Sequence, residues 1–230
     1  MRILPILAFL LAMPLLLATG PAFGAGGGSM PSGGSMPGSD AREPRSPEDL
    51  ARDQFNGGVR LVEKADDLAA DAAHQADERK KQKASTKSEQ SYASALKKFT
   101  RATELNPSMY QAWNYVGYTN RKLGNFEAAL AAYDRALRLK PDDAEAIEYR
   151  GHAYLVLNRL SEAKEAYLSL YSANRKLAAQ LLAGMQDWVG AHRADTGGLD
   201  VDSFAAWVNE RGAIASKTAS LTREGASAAW

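Results

Sequence analysis

An apolar face recurs along this chain every 34 residues. Trp113 and Ile147 are 147 − 113 = 34 apart, and the same interval separates Gly117 from Gly151, Leu123 from Leu157, Phe126 from Leu160, Ala129 from Ala163, and Tyr133 from Tyr167. Upstream, Ala95, Phe99, Ala102 and Pro107 precede Ala129, Tyr133, Ala136 and Pro141 by the same step. A fixed period of this length is the mark of stacked structural repeats. Inside one interval, Trp113, Val116 and Gly117 share a helical face by i, i+3, i+4 spacing. An interior glycine costs about 1 kcal/mol against Ala in a helix, so Gly117 and Gly151 predict close approach of a neighbouring helix. Gly124-Asn125 predicts the end of that first helix, since both residues tolerate a left-handed cap. Ala129, Tyr133 and Ala136 line the inner face of a second helix. Pro141 prevents its continuation, and Asp142 or Asp143 caps the next one.

The flanks follow the same helical logic less regularly. Ser46-Pro47-Glu48-Asp49 reads as a helix start. Phe55, Val59, Val62, Ala69, Ala73 and Ala76 then repeat at mostly helical spacing, with a break or bend predicted at Asn56-Gly57-Gly58. The polar stretch from Asp77 to Lys87 reads as a fraying tail and a loop. Its basic run, Arg79, Lys80, Lys81, Lys83 and Lys87, reads as a solvated helix end whose cations suit the helix dipole. Downstream, Leu177, Leu181, Met185 and Trp188 form one stripe, and Leu181 and Trp188 lie 34 after Ile147 and Tyr154. A turn is expected at Asp195-Thr196-Gly197-Gly198. A last helix begins with Val201, Phe204, Ala205 and Val208 and ends at Gly212. A polar-faced terminal element of this kind caps a short solenoid. Residues from there to Trp230 receive no assignment.

With these residues in place the sequence resembles the tetratricopeptide repeat family, whose pattern is W-x2-L-G-x2-Y, then A-x3-F, then P. One unit reads Trp113, Val116, Gly117 and Asn120, then Ala129, Tyr133 and Pro141. The next reads Ile147, Arg150, Gly151 and Tyr154, then Ala163 and Tyr167, with Arg175 where the closing Pro would stand. A third keeps only its second half, Ala95, Phe99 and Pro107. Val116, Asn120 and Arg150 depart from the pattern. The resemblance covers about Tyr92 to Tyr171. It implies an all-α short solenoid of about three helix pairs, with irregular first and last elements. The expected division is a long N-terminal helix plus degenerate repeat over 46–109, repeats over 110–143 and 144–175, and C-terminal capping helices over 176–230.

The resemblance also implies a concave groove lined by the second, fifth, ninth and twelfth residues of each unit. Here these are Gln111, Asn114, Tyr118 and Arg121, then Glu145, Glu148, His152 and Leu155, with Lys122 beside them. The first unit is polar and basic, the second acidic. Such a groove suits a peptide or helix segment of another protein. Trp113 and Trp188 are expected in the core.

Composition narrows the function further. Met1 and Arg2, the apolar run from Ile3 to Ala18, and Ala22-Phe23-Gly24 predict a signal peptide over 1–24. Pro5 and Pro14 interrupt the run, and it is shorter than the roughly 20 residues a membrane span needs. The alternative is a membrane-anchored envelope assembly factor that retains this segment. Residues 25–45, rich in Gly, Ser and Pro, predict a flexible tether. The expected destination is the periplasm. There are no cysteines, so no disulfide, no lipid-modified cysteine and no thiolate metal site. Formal charge is +1, and cleavage would remove Arg2 and no acid, giving +1 − 1 = 0. That balance gives no footprint for nucleic acid. His74, His152 and His192 sit in no metal-ligand spacing, and no nucleophile is paired with a base. The expectation is a binding scaffold with no catalytic residues, no metal and no cofactor.

Overall fold

The computed structural model describes residues 45–193 and 200–227. Eight helices, and no strand, occur among the described residues: α1 (Pro47–His74), α2 (Glu78–Leu105), α3 (Tyr110–Lys122), α4 (Phe126–Leu139), α5 (Ala144–Val156), α6 (Leu160–Ala173), α7 (Arg175–His192) and α8 (Val201–Ser227). The expected signal peptide, all but the last residue of the tether, the turn at Asp195–Gly198 and Trp230 lie outside the described residues. No described helix is long and apolar enough to cross a membrane.

The helices pair in chain order, α1 with α2, α3 with α4, α5 with α6 and α7 with α8, and each pair packs on the next. This is an all-α tetratricopeptide-like solenoid, with α1 and α2 as the irregular first pair and the capping helices α7 and α8 as the irregular last one. Ser46 caps α1 by accepting from the Asp49 N–H, and Pro47 occupies the first turn. Asn56-Gly57-Gly58 does not break the helix. A Cβ on Gly58 would lie 2.6 Å from the Phe99 ring, so the glycine admits the ring and the helix runs on. The segment from Asp77 to Lys87 is likewise helical. Asp77 accepts from the Arg79 and Lys80 backbone N–H groups and starts α2 there. Lys, Arg, Gln, Glu and Ala are all good helix formers, so polarity here marks exposure rather than irregularity. The basic run therefore stands at an N-terminal helix end, where cations oppose the dipole instead of suiting it.

The regular units follow the period closely. Gly124 (φ 80°) and Asn158 (φ 57°), 34 residues apart, are the left-handed residues that close α3 and α5. Asn tolerates that region because its short polar side chain bonds locally, and its Oδ1 accepts from the Trp188 indole N–H at 3.3 Å. Gly117 faces the Tyr133 ring, and Gly151 faces Leu181. Arg150, standing where the family pattern has Leu, pairs with Asp134 on α4 at 2.7 Å. The C-terminal helix does not end at Gly212 but continues to Ser227.

Two apolar clusters fill the stack. One joins α4 through α8 around Tyr133, Tyr167, Leu170, Leu181, Met185, Trp188 and Phe204. The other joins α1, α2 and α3 around Val62, Tyr92, Phe99 and Tyr118. Tyr149 packs against both. Trp188 is buried as expected, and Trp113 is half-buried, its indole N–H donating to the Pro107 carbonyl at 2.9 Å.

Candidate functional site

The first helices α3, α5 and α7 pack directly on one another, α3 on α5 and α5 on α7, while α4 and α6 make no comparable contact. From α3 to α7 the stack is therefore tighter on the first-helix side, the side on which the repeat pattern places the groove. Its floor is polar. The Asp66 carboxylate on α1 accepts from the Tyr92 hydroxyl on α2, from the Tyr118 hydroxyl on α3 at 2.9 Å, and from Lys122 Nζ at 3.2 Å. Burial raises the pKa of both hydroxyls, and the Asp66 charge raises it further. Burial pulls the Lys122 pKa below its ordinary value while Asp66 opposes that fall. The ammonium also lies 5.4 Å from the centre of the Tyr118 ring.

One helical turn along, the Arg121 guanidinium lies over the Tyr118 ring at 5.4 Å and the Tyr149 ring at 5.5 Å. Burial disfavours its charge, but Tyr133, Tyr118 and Glu148 hold its pKa above the ordinary value. On α5, Glu148 is wholly buried. Its Oε1 meets His152 Nε2 at 2.9 Å, and its Oε2 has no hydrogen-bond partner. The His152 ring rests on Gly184 of α7, where any Cβ would collide with it. A chain of polar side chains thus runs from α1 to α7 beneath the groove.

The nine groove residues expected from the sequence fall on these first helices, at different depths. Gln111 and Glu145 are exposed; Arg121, Lys122 and His152 are half-buried; Asn114, Tyr118, Glu148 and Leu155 are buried. Asn114, Tyr118 and Glu148 therefore shape the floor instead of offering a surface, because α3 and α5 approach too closely to leave them open. Three further residues belong to the site. Asp66 is the acceptor that gathers the floor, and nothing in the local sequence of α1 marks it. Tyr115 and Tyr149 were legible, since 149 − 115 = 34. Tyr115 stacks on Phe99 with ring centres 4.8 Å apart and meets Phe55 edge-on at 5.4 Å. Tyr149 lies 5.3 Å from Tyr118. The result is an aromatic row along these helices, which also carry the exposed Gln111 and Glu145. Among the described residues no three His, Asp or Glu side chains gather as a metal site.

A family model described as tetratricopeptide repeat matches residues 88–144 and 117–178. Among solved structures, the first TPR of Spaghetti (RPAP3) bound to HSP90 peptide SRMEEVD is 20% identical, with a TM-score of 0.40, covering 55% of this chain and 94% of that one. The Arabidopsis OM64 TPR domain is 14% identical, with a TM-score of 0.35, covering 69% of this chain and 98% of that one. Comparison with curated proteins gave no match.

Proposed function

We propose that this chain, a tetratricopeptide repeat protein across residues 88–178, is an exported adaptor that holds a peptide or helix of another protein on its concave face. The observation that carries the reading is the pair of half-buried rings Tyr115 and Tyr149, packed on the buried Tyr118 between them, on helices that also carry the exposed Gln111 and Glu145. Large, preorganised rings with polar side chains at their margin are what protein contacts use for affinity and register. The floor beneath is pinned by buried hydrogen bonds, so little side-chain freedom is lost when a partner docks. The groove offers no nucleophile paired with a base, which favours binding over catalysis.

Export is the finer part of the proposal. It rests on Arg2, the apolar run to Ala18 and Ala22-Phe23-Gly24.

The test is position-specific photocrosslinking in the native envelope. A crosslinkable residue at Gln111 or Glu145 should trap one partner, while the same residue at Glu127 or Glu165 on second helices should not. Equal trapping at the second-helix positions would place binding on another face. Intact mass of the isolated protein should begin near Ala25, and a mass that retains Met1 would overturn the cleaved-signal part.

A further inference from the structure

We propose that the seam between the second helices α6 and α8 is a docking surface separate from the groove, and that it takes an acidic amphipathic helix of a partner protein. The seam is built from rings and cations in alternation. On α6, Lys164, Tyr167 and Tyr171 recur at i, i+3, i+7, and on α8 Phe204, Trp207 and Arg211 do the same, so each set shares one helix face. Lys164 Nζ lies 5.4 Å from the centres of both the Phe204 and the Trp207 rings. Tyr167 meets Trp207 edge-on at 5.5 Å, and the Arg211 guanidinium sits 5.6 Å from the Trp207 ring. Two turns along α6, the Tyr171 hydroxyl reaches Thr218 Oγ1 at 3.4 Å, and the Arg175 guanidinium lies 3.6 Å from the Tyr171 ring centre.

A ring holds a cation in place without neutralising it. Arg211 is paired with Glu210 at 2.8 Å, whereas Lys164 and Arg175 are in no ion pair among the described residues. Asp200 lies in the field of Lys164 without meeting it in an ion pair. The positive field also registers on the Tyr171 hydroxyl, whose pKa is lowered first by the Thr218 hydrogen bond and then by Arg175 and Arg211. Arg175 is exposed, and a guanidinium resting on a ring keeps the N–H donors of its edge for a carboxylate.

The apolar part of the surface is a separate observation. Leu168, four residues after Lys164, is 49% exposed, and Ile214, three after Arg211, is 37% exposed. Exposed apolar side chains rimmed by charge mark a contact surface. Their spacing describes the occupant. Lys164 and Tyr171, on which Arg175 rests, are about 10 Å apart along α6, with Leu168 between them. A partner helix with acids at i and i+7 and leucines at i+3 and i+4 sets one carboxylate at each free cation and its apolar stripe on Leu168 and Ile214. The chain's formal charge of only +1 gives no broad positive field for a polyanion, which favours spaced carboxylates over nucleic acid. The surface is also distinct from the far side of α6, where Glu165 lines a cavity with Leu137 and Pro141 of the preceding pair. Crosslinking at Glu165 therefore samples neither the groove nor the seam.

The probe is the peptide acetyl-Glu-Ala-Ala-Leu-Leu-Ala-Ala-Glu-amide, titrated into the isotope-labelled full chain and followed by NMR. The same peptide with both Glu changed to Gln, or both to Lys, serves as control. The Glu peptide should shift the Trp207 indole N–H and the Leu168 and Ile214 methyls, more strongly than the Gln peptide and far more than the Lys peptide. Lys164→Gln with Arg175→Gln should weaken its binding about fivefold, as expected for two exposed ion pairs. Leu168→Ser, which leaves every cation and ring in place, should weaken it as well. Equal shifts from the Glu and Gln peptides overturn the charge assignment. Shifts confined to α3 and α5, or no shift at all, overturn the seam as a docking surface. Vesicles of phosphatidylglycerol that shift Trp207, Leu168 and Ile214 where the Glu peptide does not would overturn the helix partner in favour of an anionic membrane.

Discussion

Gly117 and Tyr133 occupy one another's space: a Cβ on Gly117 would lie 2.5 Å from Tyr133 Cε1, and the Tyr133 ring is itself wholly buried. The ring has nowhere to go. Gly117→Ala should therefore destabilise the fold, despite gaining up to about 1 kcal/mol of helix propensity. Overpacking of a rigid ring typically costs about 1–3 kcal/mol. At the equivalent Gly151 the neighbour is the flexible Leu181 side chain, so Gly151→Ala should cost less. Urea denaturation of both variants checks the order, and a Gly117→Ala variant as stable as the parent would show that α3 and α4 pack differently.

Asp66 holds three donors from α2 and α3 on one carboxylate. Asp66→Ala strands Lys122, whose side chain is only 8% exposed. Losing one partner of a buried pair costs about 3–5 kcal/mol, mostly from the charge left behind. Adding Lys122→Met should restore a large part of the loss, because the stranded charge is then gone. The double-mutant cycle reads this directly. No recovery in the double variant would mean that the tyrosine hydroxyls, not Lys122, depend on Asp66.

The groove tyrosines predict an alkaline limit. Tyr92, Tyr115, Tyr118, Tyr133 and Tyr149 all have pKa values raised first by burial, Tyr115 to about 12. In the unfolded chain they ionise near pH 10. A raised folded value means stability is fully present below that pH and is lost as pH rises above it, because only the unfolded state releases the protons. Tyr171, with its pKa lowered, ionises first; the tyrosinate absorbance of these five should appear later, together with loss of helical circular dichroism. The chain has nine tyrosines, so ionisation of more than 9 − 5 = 4 of them before unfolding would show that these hydroxyls are open to solvent.

Glu145 runs the other way. Its folded pKa is raised by burial and by Asp143 and Glu148, so its charge opposes folding at neutral pH, and the strain eases as pH falls through that value. Glu145→Gln should leave the melting temperature unchanged or raise it near pH 7, with the difference shrinking below about pH 4, where the carboxyl is neutral in both states. A clear loss of stability at neutral pH would reveal a cation already paired with Glu145 in the free protein.

The regular part of this fold was written in the sequence because its 34-residue period fixes residue size as well as polarity. Gly117, Ala129 and Tyr133 each tell which neighbour can fit. The first pair was harder to read. Gly57-Gly58 looks like a break until Phe99, some 40 positions along the chain, is seen lying on Gly58. Asp77–Lys87 looks like a loop because an exposed helix with no buried face has no apolar period to detect. Depth in the groove was also hidden. Position in the repeat placed Asn114, Tyr118 and Glu148 on the right helices, but burial depends on the spacing between α3 and α5. Asp66 was illegible for a related reason: it joins residues from three helices across a sequence distance no local pattern encodes.

The length of α1 and α2, 28 residues each against 13 or 14 in the helices of the next two pairs, has a consequence for how the molecule breathes. No residue from Ala73 to Lys87 is buried, so the hairpin tip is held by backbone hydrogen bonds, the Asp77 cap and the exposed Lys81–Glu78 pair, without buried apolar surface. Local opening there exposes almost no new apolar surface and should occur at a small fraction of the global unfolding free energy. Amide protons at the tip should exchange early, and a protease cutting after Lys80, Lys81 or Lys83 should nick a chain whose groove remains folded. The first pair is then a hinge of two tiers: a root fastened to α3 by Asp66, and a tip that melts and reforms without disturbing it.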